Sequence, residues 1–327
     1  MKSKIVLVSP ALVEANNGNS HTAYRWAKFL SSHCDIAVTQ SWNAANGSHD
    51  AMIALHARRS AASIHAWAAQ YPDRPLILIL TGTDLYRDIL IDTNAKKSLN
   101  LATHLVVLQE AGLAALPPSL RGKAHVIYQS AKRLKPAIKS TQRFTAVMVG
   151  HLRDEKDPLT FINAARLCDM NNAVGIKNPN FEQIGDGLDA KLAKAASLAD
   201  VEHANYRWLG GLPKGQTRQR IKHAHVLVNC SLMEGGAHVV LEAVQCGTPV
   251  LASRISGNVG MLGTDYTGYF DVGNPADLAT LVKRCVVEPS FLAHLQTQCD
   301  QRAELFEPDV EKRLVLNLIS SALKEPI

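Results

Sequence analysis

The sequence predicts an α/β protein with two domains, each containing a parallel sheet covered by helices. Its 327 residues are long for one hydrophobic core and sufficient for two domains of about 150 residues each. Short apolar segments alternate with amphipathic helical segments along the chain, which is the pattern of parallel sheets with crossover helices. A polar, basic stretch at 139–143 follows Pro136 and is typical of a linker. We therefore expect domains at 1–137 and 138–305.

Six strands are expected in each domain, identified as short apolar runs that end in polar or glycine-containing loops. In the first domain they lie at 5–9, 35–39, 51–55, 76–80, 104–108 and 125–128. A helix follows the first strand, because apolar residues recur at helical spacing from Ala23 to Leu30. The strands of the second domain lie at 145–150, 182–184, 206–209, 225–229, 249–252 and 268–270, with helices near 158–168 and 308–324.

Composition and charge exclude several classes of protein. With 46% hydrophobic and 20% charged residues the chain is globular, and no apolar run approaches the length of a membrane span. The apolar run at 5–8 is short for a signal peptide, so we expect a cytoplasmic protein whose six cysteines are buried, reduced thiols. Basic residues are scattered and aromatic residues make up 6%, so the net charge of +6 indicates an anionic small substrate rather than nucleic acid or a membrane.

The segment 234–249 has the pattern of a nucleotide site. Glycines follow Glu234, and the amides of Gly236, Ala237 and His238 open a helix whose dipole favours an anion. Glu242, one turn inside that helix, can accept hydrogen bonds from the two hydroxyls of a ribose. The alternative is an ordinary strand–loop–helix unit with solvated glutamates. The helix is expected to stop at Gly247, followed by Pro249 and a strand.

The two glutamates, eight residues apart, resemble the Glu-x7-Glu signature of retaining-type glycosyltransferases of family 4. That resemblance implies the GT-B architecture, in which two Rossmann-like domains have parallel sheets that face a central cleft. It also implies that a C-terminal helix at 306–327 packs back on the first domain. It implies that Glu234 contacts the donor sugar and that Glu242 binds the ribose. It also implies that Gly235 to Ala237 bind the diphosphate and that uracil lies near Leu212.

Two cations follow the first strand of the second domain and are candidates for binding the leaving group. Departure of a nucleoside diphosphate leaves negative charge, which Arg153 and Lys156 after Gly150 can stabilise. The alternative is a solvated basic loop. The chain has no Asp-x-Asp sequence, and its histidines lack metal-ligand spacing, so no metal or other cofactor is expected. In the family pattern His151 takes an arginine position, which makes Lys156 the better match of the two.

Basic and hydroxyl residues end two neighbouring strands of the first domain and compose a candidate anion pocket. Adjacent strand ends of parallel sheets lie close together. The residues are Arg58, Arg59, Thr81, Gly82, Thr83 and Arg87. The alternative is a solvated basic pair. The family resemblance places Gly18 and Asn19 near the donor phosphate and the acceptor, and His56 and Asp84 are candidates for an acid or a base.

Several longer strings depart from family 4 and resemble selenosugar synthase of selenoneine biosynthesis. They include His56 to Ser60, Leu80 to Asp88, Val126 to Ala131, Tyr206 to Gly210 and Ala252 to Ile255. Thr81 stands where many retaining members have a histidine. This resemblance implies a metal-independent enzyme that transfers N-acetylglucosamine or glucose from a UDP-sugar to the selenium of selenophosphate. The products are a 1-selenosugar, UDP and phosphate.

Two other functions remain open. The first is a family 4 glycosyltransferase that acts on a hydroxyl acceptor. The second is a protein that binds nucleotide sugars without turnover. Selenophosphate is already ionised, so it needs no general base for attack, whereas a hydroxyl acceptor must lose a proton.

Overall fold

The computed structural model describes residues 2–10, 18–168, 178–325 and 327, and it confirms the predicted fold class. Two six-stranded parallel sheets are each flanked by helices. The described chain divides into two compact units. Unit 1 comprises 1–130, 234–236 and 307–327, and unit 2 comprises 131–233 and 237–306.

All twelve expected strands are present, with ends within two residues of those expected. They are β1 (Lys4–Val8), β2 (Asp35–Thr39), β3 (Ala51–Leu55), β4 (Leu76–Ile79), β5 (His104–Val107), β6 (Ala124–Val126), β7 (Thr145–Val149), β8 (Asn180–Ile184), β9 (Tyr206–Trp208), β10 (Val226–Asn229), β11 (Val250–Ser253) and β12 (Tyr269–Phe270).

The helices occupy the connections between the strands. They are α1 (Gly18–Leu30), α2 (Ala61–Gln70), α3 (Ile89–Ile91), α4 (Thr93–Leu101), α5 (Gly112–Ala115), α6 (Pro158–Leu167), α7 (Ala190–Glu202), α8 (Lys214–His223), α9 (His238–Gln245), α10 (Ser256–Leu262), α11 (Pro275–Val287), α12 (Pro289–Asp300) and α13 (Pro308–Leu323). The expected helices near 158–168 and 308–324 correspond to α6 and α13.

Strand order fixes where ligands are expected in each unit. The sheet of unit 1 runs β2-β1-β3-β4-β5-β6, and that of unit 2 runs β12-β11-β10-β7-β8-β9. These are the flavodoxin-like and Rossmann orders, whose direction reverses between β1 and β3 and between β7 and β10. In such sheets ligands bind beyond the carboxyl ends of the strands at the reversal. Ligands are therefore expected at the loops after β3 and β7.

Burial explains why the strands were visible in the sequence. Strands β3 and β4 are completely buried, as expected for central strands covered on both faces, whereas the edge strand β2 is partly exposed. All six cysteines are buried and none forms a disulfide, as predicted. No helix among the described residues is long and apolar enough to cross a membrane.

Helix α13 belongs to unit 1 and packs against α1. A buried carboxylate on α13 organises this contact. Glu311 accepts hydrogen bonds from Arg25 Nε at 2.7 Å and from Trp26 Nε1 at 2.9 Å, and it also accepts one from Ser130 Oγ. These bonds compensate the loss of solvation that burial imposes on the charge.

The domain boundary at residue 137 stays a prediction, and in this structure residues 131–137 group with unit 2. The backbone amide of Leu134 donates to the Gln245 carbonyl at 2.8 Å, and Pro136 packs against Gly247. A polar linker sequence does not show which neighbour will accept its backbone hydrogen bonds.

Candidate active site

The loops after β7 and β10 meet at the strand-order reversal of unit 2. The amide of Leu232 donates to the carbonyl of Glu155 at 2.9 Å and ties the two loops together. Gly150 ends β7, and the side-chain carbons of Lys156 lie 3.5 Å from the place where a Cβ at Gly150 would be. The stem of Lys156 therefore lies beside the end of β7. Arg153 is exposed in the same loop.

A glycine-rich loop after β8, absent from the expected site, supports this strand end. Gly185 has φ +148°, and a Cβ there would overlap the carbonyl of Gly150. The amide of Gly185 donates to the Gly210 carbonyl at 2.8 Å, which brings the loops after β7, β8 and β9 together. The sequence contains a pattern that could have predicted this loop, because Gly185-Asp186-Gly187 directly follows a strand. Leu212 lies just beyond Gly210 and is half-buried.

Helix α9 begins at His238 and ends before Gly247, whose φ of +67° explains the stop. Its N-cap residue is Ala237, and no side chain there accepts a hydrogen bond from the first-turn amides. Those amides point towards the space before the helix, where the dipole favours an anion.

Glu242 is 5% exposed, and its carboxylate lies near His238 and Arg218. Its Oε1 lies 3.6 Å from His238 Nε2 and 3.9 Å from Arg218 Nε. Burial raises the pKa of the Glu242 carboxyl, but the neighbouring His238, Lys214 and Arg218 lower it by more, so that the pKa lies below its usual value. Arg218 lies on α8 and was not among the predicted site residues. The sequences of α8 and α9 do not indicate that these two helices lie side by side.

The Glu234–Gly236 turn belongs to unit 1, where it makes a close backbone contact with the loop after β4. Gly82 has φ +143°, and a Cβ there would lie 2.9 Å from the Gly235 nitrogen. A Cβ at Gly235 would in turn overlap the Thr81 carbonyl, and one at Gly236 would lie 2.8 Å from Leu108 Cβ. Glycine is therefore required on both sides of the contact. Glu234 is half-buried.

His56 directly follows β3 in a left-handed backbone conformation, with φ +72°. Its ring is buried, with Nδ1 accepting from the Arg59 amide at 3.3 Å and Nε2 lying 3.2 Å from Thr83 Oγ1. Burial lowers the pKa of His56, more than the nearby Asp84 raises it, so the ring is neutral. A role of His56 as an acid or a base stays a prediction, and in this structure the buried ring contacts the Arg59 amide and the Thr83 hydroxyl.

Asp84 is completely buried and organises the same loops. One carboxylate oxygen accepts from the amides of Thr81 at 2.8 Å and Gly82 at 3.0 Å. The other accepts from the Ala57 amide at 2.9 Å, so the loops after β3 and β4 are joined. Both carboxylate oxygens of Asp84 thus accept from backbone donors, and its role at the acceptor stays a prediction.

Two of the three expected arginines share a carboxylate that sequence reasoning missed. Asp88 binds Arg58 Nε at 2.7 Å and Arg87 Nε at 3.0 Å. Burial raises the pKa of Asp88, but the hydrogen bonds from both arginines lower it more, so it lies below its usual value. Arg59 is exposed. Asp88 thus brings Arg58 and Arg87 together, and Asp84 is a second buried carboxylate in the same loops.

The remaining expected residues lie at the start of α1. Gly18 and Asn19 form its first turn, and the Gly18 carbonyl accepts from Thr22 Oγ1 at 2.8 Å. The preceding residues, 11–17, are outside the described part of the chain. Across the described ranges, no group of three or more His, Cys, Asp or Glu side chains is arranged to hold a metal ion.

Comparison with known proteins gives one family and several relatives. Residues 130–305 match the family described as Glycosyl transferases group 1. Glycosyltransferase 1 domain-containing protein 1 of Xenopus tropicalis is 28% identical over 179 residues, which are 53% of this chain and 50% of the relative. D-inositol 3-phosphate glycosyltransferase of Nocardiopsis dassonvillei is 32% identical over 122 residues, 36% of this chain and 27% of the relative. The chain thus spans half or less of these curated relatives.

Solved structures resemble the whole chain in fold. Sucrose-phosphate synthase from Thermosynechococcus elongatus has a TM-score of 0.79 at 14% identity, covering 99% of this chain and 100% of that one. HepE of Anabaena, solved in complex with UDP and glucose, has a TM-score of 0.75 at 16% identity, covering 98% and 100%. These similarities give the fold as GT-B. Because the family match covers more than half of the sequence, the chain belongs to the glycosyl transferases of group 1.

Proposed function

We propose that this chain transfers a sugar from a UDP-sugar to selenophosphate without a metal ion. The observation that supports the donor half is the buried, ionised Glu242, one turn inside a helix whose first amides have no side-chain cap. A carboxylate for the ribose hydroxyls and free amides for the diphosphate suit a nucleoside diphosphate. The fold neighbour HepE, solved with UDP and glucose, is consistent with this donor.

In the proposed reaction the bond between sugar C1 and the diphosphate oxygen breaks, and a C1–Se bond forms. The electron pair of the broken bond leaves with UDP, whose charge Lys156 and Arg153 are suited to stabilise. Water then cleaves the P–Se bond of the adduct and releases phosphate, which leaves a 1-selenosugar. Glu234 is proposed to contact the donor sugar.

The arginines after β3 and β4 support an anionic acceptor. His56, Asp84 and Asp88 are buried there, whereas Arg58, Arg59 and Arg87 reach solvent. These loops therefore offer positive charge rather than an exposed base. Selenophosphate carries negative charge and has no proton to lose on attack, so it matches such a surface better than a neutral alcohol.

A product assay tests the proposal. The pure protein is incubated without oxygen and with EDTA, with selenophosphate and either UDP-N-acetylglucosamine or UDP-glucose. Mass spectrometry is expected to detect a seleno-hexosamine or seleno-hexose together with UDP. Absence of any selenium-containing sugar with both donors would refute the selenophosphate proposal.

A phosphorylated alcohol is the second candidate acceptor, because the same arginines would suit its phosphate group. Two relatives carry the name D-inositol 3-phosphate glycosyltransferase. D-inositol 3-phosphate is therefore included as an acceptor in the same assay. Turnover with it, and none with selenophosphate, would favour this candidate. Tight UDP binding without cleavage of either donor in the presence of any acceptor would instead indicate a binding protein.

A further inference from the structure

We propose that Asp88 is the positioning residue of the acceptor site, where it holds Arg58 and Arg87 as a fixed pair of guanidinium groups for one oxyanion. This inference rests on the proposed function in one respect, the anionic acceptor. It assigns the fixed orientation of the two arginines to a residue that is itself buried.

The geometry is that of one carboxylate shared by two arginines. Oδ2 of Asp88 lies 2.7 Å from Arg58 Nε, and Oδ1 lies 3.0 Å from Arg87 Nε. The Asp88 side chain is 4% exposed, whereas those of Arg58 and Arg87 are 41% and 42% exposed. Each guanidinium group uses its Nε for Asp88, and its four Nη hydrogens remain as possible donors.

Asp88 is placed to join two separate loops. Arg58 follows β3, whereas Arg87 and Asp88 lie in the helical turn after β4. That turn is itself anchored, because Asp84 at its start accepts from the Ala57 amide of the first loop at 2.9 Å. The ring of His56 lies near the carboxylate of Asp88, with its Nε2 at 3.9 Å from Asp88 Oδ2.

Two effects of Asp88 on anion binding have opposite signs. Its negative charge weakens the attraction of the arginines for an anion. Its hydrogen bonds order two long side chains in advance, which reduces the entropy that binding must remove. The exposed guanidinium groups are strongly screened by solvent, so we expect the orientation effect to exceed the charge effect. Loss of Asp88 should then weaken anion binding although the site becomes more positive.

The test compares Asp88→Asn with Asp73→Asn. Asp73 is an exposed residue before β4, at the opposite end of the strand from Asp88, so both variants lose one negative charge in unit 1. Calorimetry measures the Kd of inorganic phosphate and of UDP, and steady-state assays measure the KM of selenophosphate. We expect Asp88→Asn to raise the phosphate Kd and the selenophosphate KM by about tenfold, with the Kd of UDP unchanged. Asp73→Asn should leave all three unchanged.

Anion binding that is unchanged or tighter in Asp88→Asn overturns the inference, and so does a wild-type protein that does not bind phosphate. A wild type that binds phosphate but does not use selenophosphate refutes the proposed acceptor. A weaker phosphate affinity in Asp88→Asn would then still support the inference.

Two further variants separate positioning from general damage. In an Arg58→Gln/Arg87→Gln background, Asp88→Asn should have no additional effect on phosphate affinity, and an additional loss of similar size contradicts the inference. If Asp88→Asn lowers the thermal unfolding midpoint too far for use, Arg58→Lys replaces it. Lysine keeps the charge but lacks the planar group that binds Asp88 and an anion together. An unchanged phosphate Kd in Arg58→Lys overturns the inference.

Discussion

Replacing Glu242 with glutamine is expected to remove recognition of the ribose hydroxyls while leaving the shape of the site intact. The carboxylate is 5% exposed and lies between His238 and Arg218. A hydrogen bond from a ribose hydroxyl to a buried charged acceptor contributes about 1.5–3 kcal/mol, against about 0.5–1.5 for a neutral one. We therefore expect the variant to lose about 1.4 kcal/mol of UDP binding, a factor of about ten in Kd.

The charge of the variant acts in the opposite direction on UDP. Without the carboxylate, Arg218 has no counter-charge at this point, and it attracts the diphosphate more strongly. The loss of UDP affinity is therefore partly offset, so the affinity for UDP alone underestimates the role of Glu242. Comparison of UDP with 2′-deoxy-UDP cancels this term, because both ligands carry the same phosphates.

Calorimetry with the two nucleotides is the decisive assay. The wild type is expected to bind UDP about tenfold more tightly than 2′-deoxy-UDP, and Glu242→Gln should lose most of that preference. Because the pKa of Glu242 lies below its usual value, its carboxylate contribution is complete above about pH 6 and disappears only as the pH falls through the lowered pKa. Equal preference for UDP in the wild type and the variant would refute the assignment of Glu242 to the ribose.

Three further changes test separate parts of the structure. Lys156→Ala should lower kcat by roughly a hundredfold, as loss of one charge-stabilising donor does in other enzymes, with little change in UDP affinity. An unchanged kcat in an assay of UDP release would contradict the placement of Lys156 at the leaving group. Gly235→Ala should strain the contact with the Thr81 carbonyl and destabilise unit 1 by about 1–3 kcal/mol, which would lower the midpoint of urea unfolding. A midpoint equal to that of the wild type would show that the turn can move to accommodate the methyl group. Glu311→Ala should cost about 3 kcal/mol by leaving Arg25 without its buried partner, and a loss below about 1 kcal/mol in urea unfolding would contradict the network described for α13.

The strands were predictable because burial on both faces of a parallel sheet requires continuous apolar runs. Strands β3 and β4 show this in five and four consecutive buried residues. The helix stop at Gly247 was predictable for a different reason, since a left-handed backbone favours glycine. The positive φ of His56 had no such signal, because that conformation is uncommon at residues other than glycine.

The candidate site was predictable at the level of residue types and not at the level of contacts. The basic residues after β3 and β4 were visible as candidates, yet their pairing was not. Asp88 stands next to Arg87 in the chain, but its hydrogen bond to Arg58 joins residues thirty positions apart. Arg218 approaches Glu242 from another helix in the same way.

The two parallel sheets, the position of every described strand and the chemical character of the loops that follow them could all be predicted from the order of residues. These properties depend on local hydrophobic patterning and on the conformational range of single residues. The burial of Asp84 and His56, the contact of Asp88 with two arginines and the approach of Arg218 to Glu242 became known from the folded chain. Burial and pairing depend on which side chains from distant segments share a space, and such proximity is a product of the folded chain.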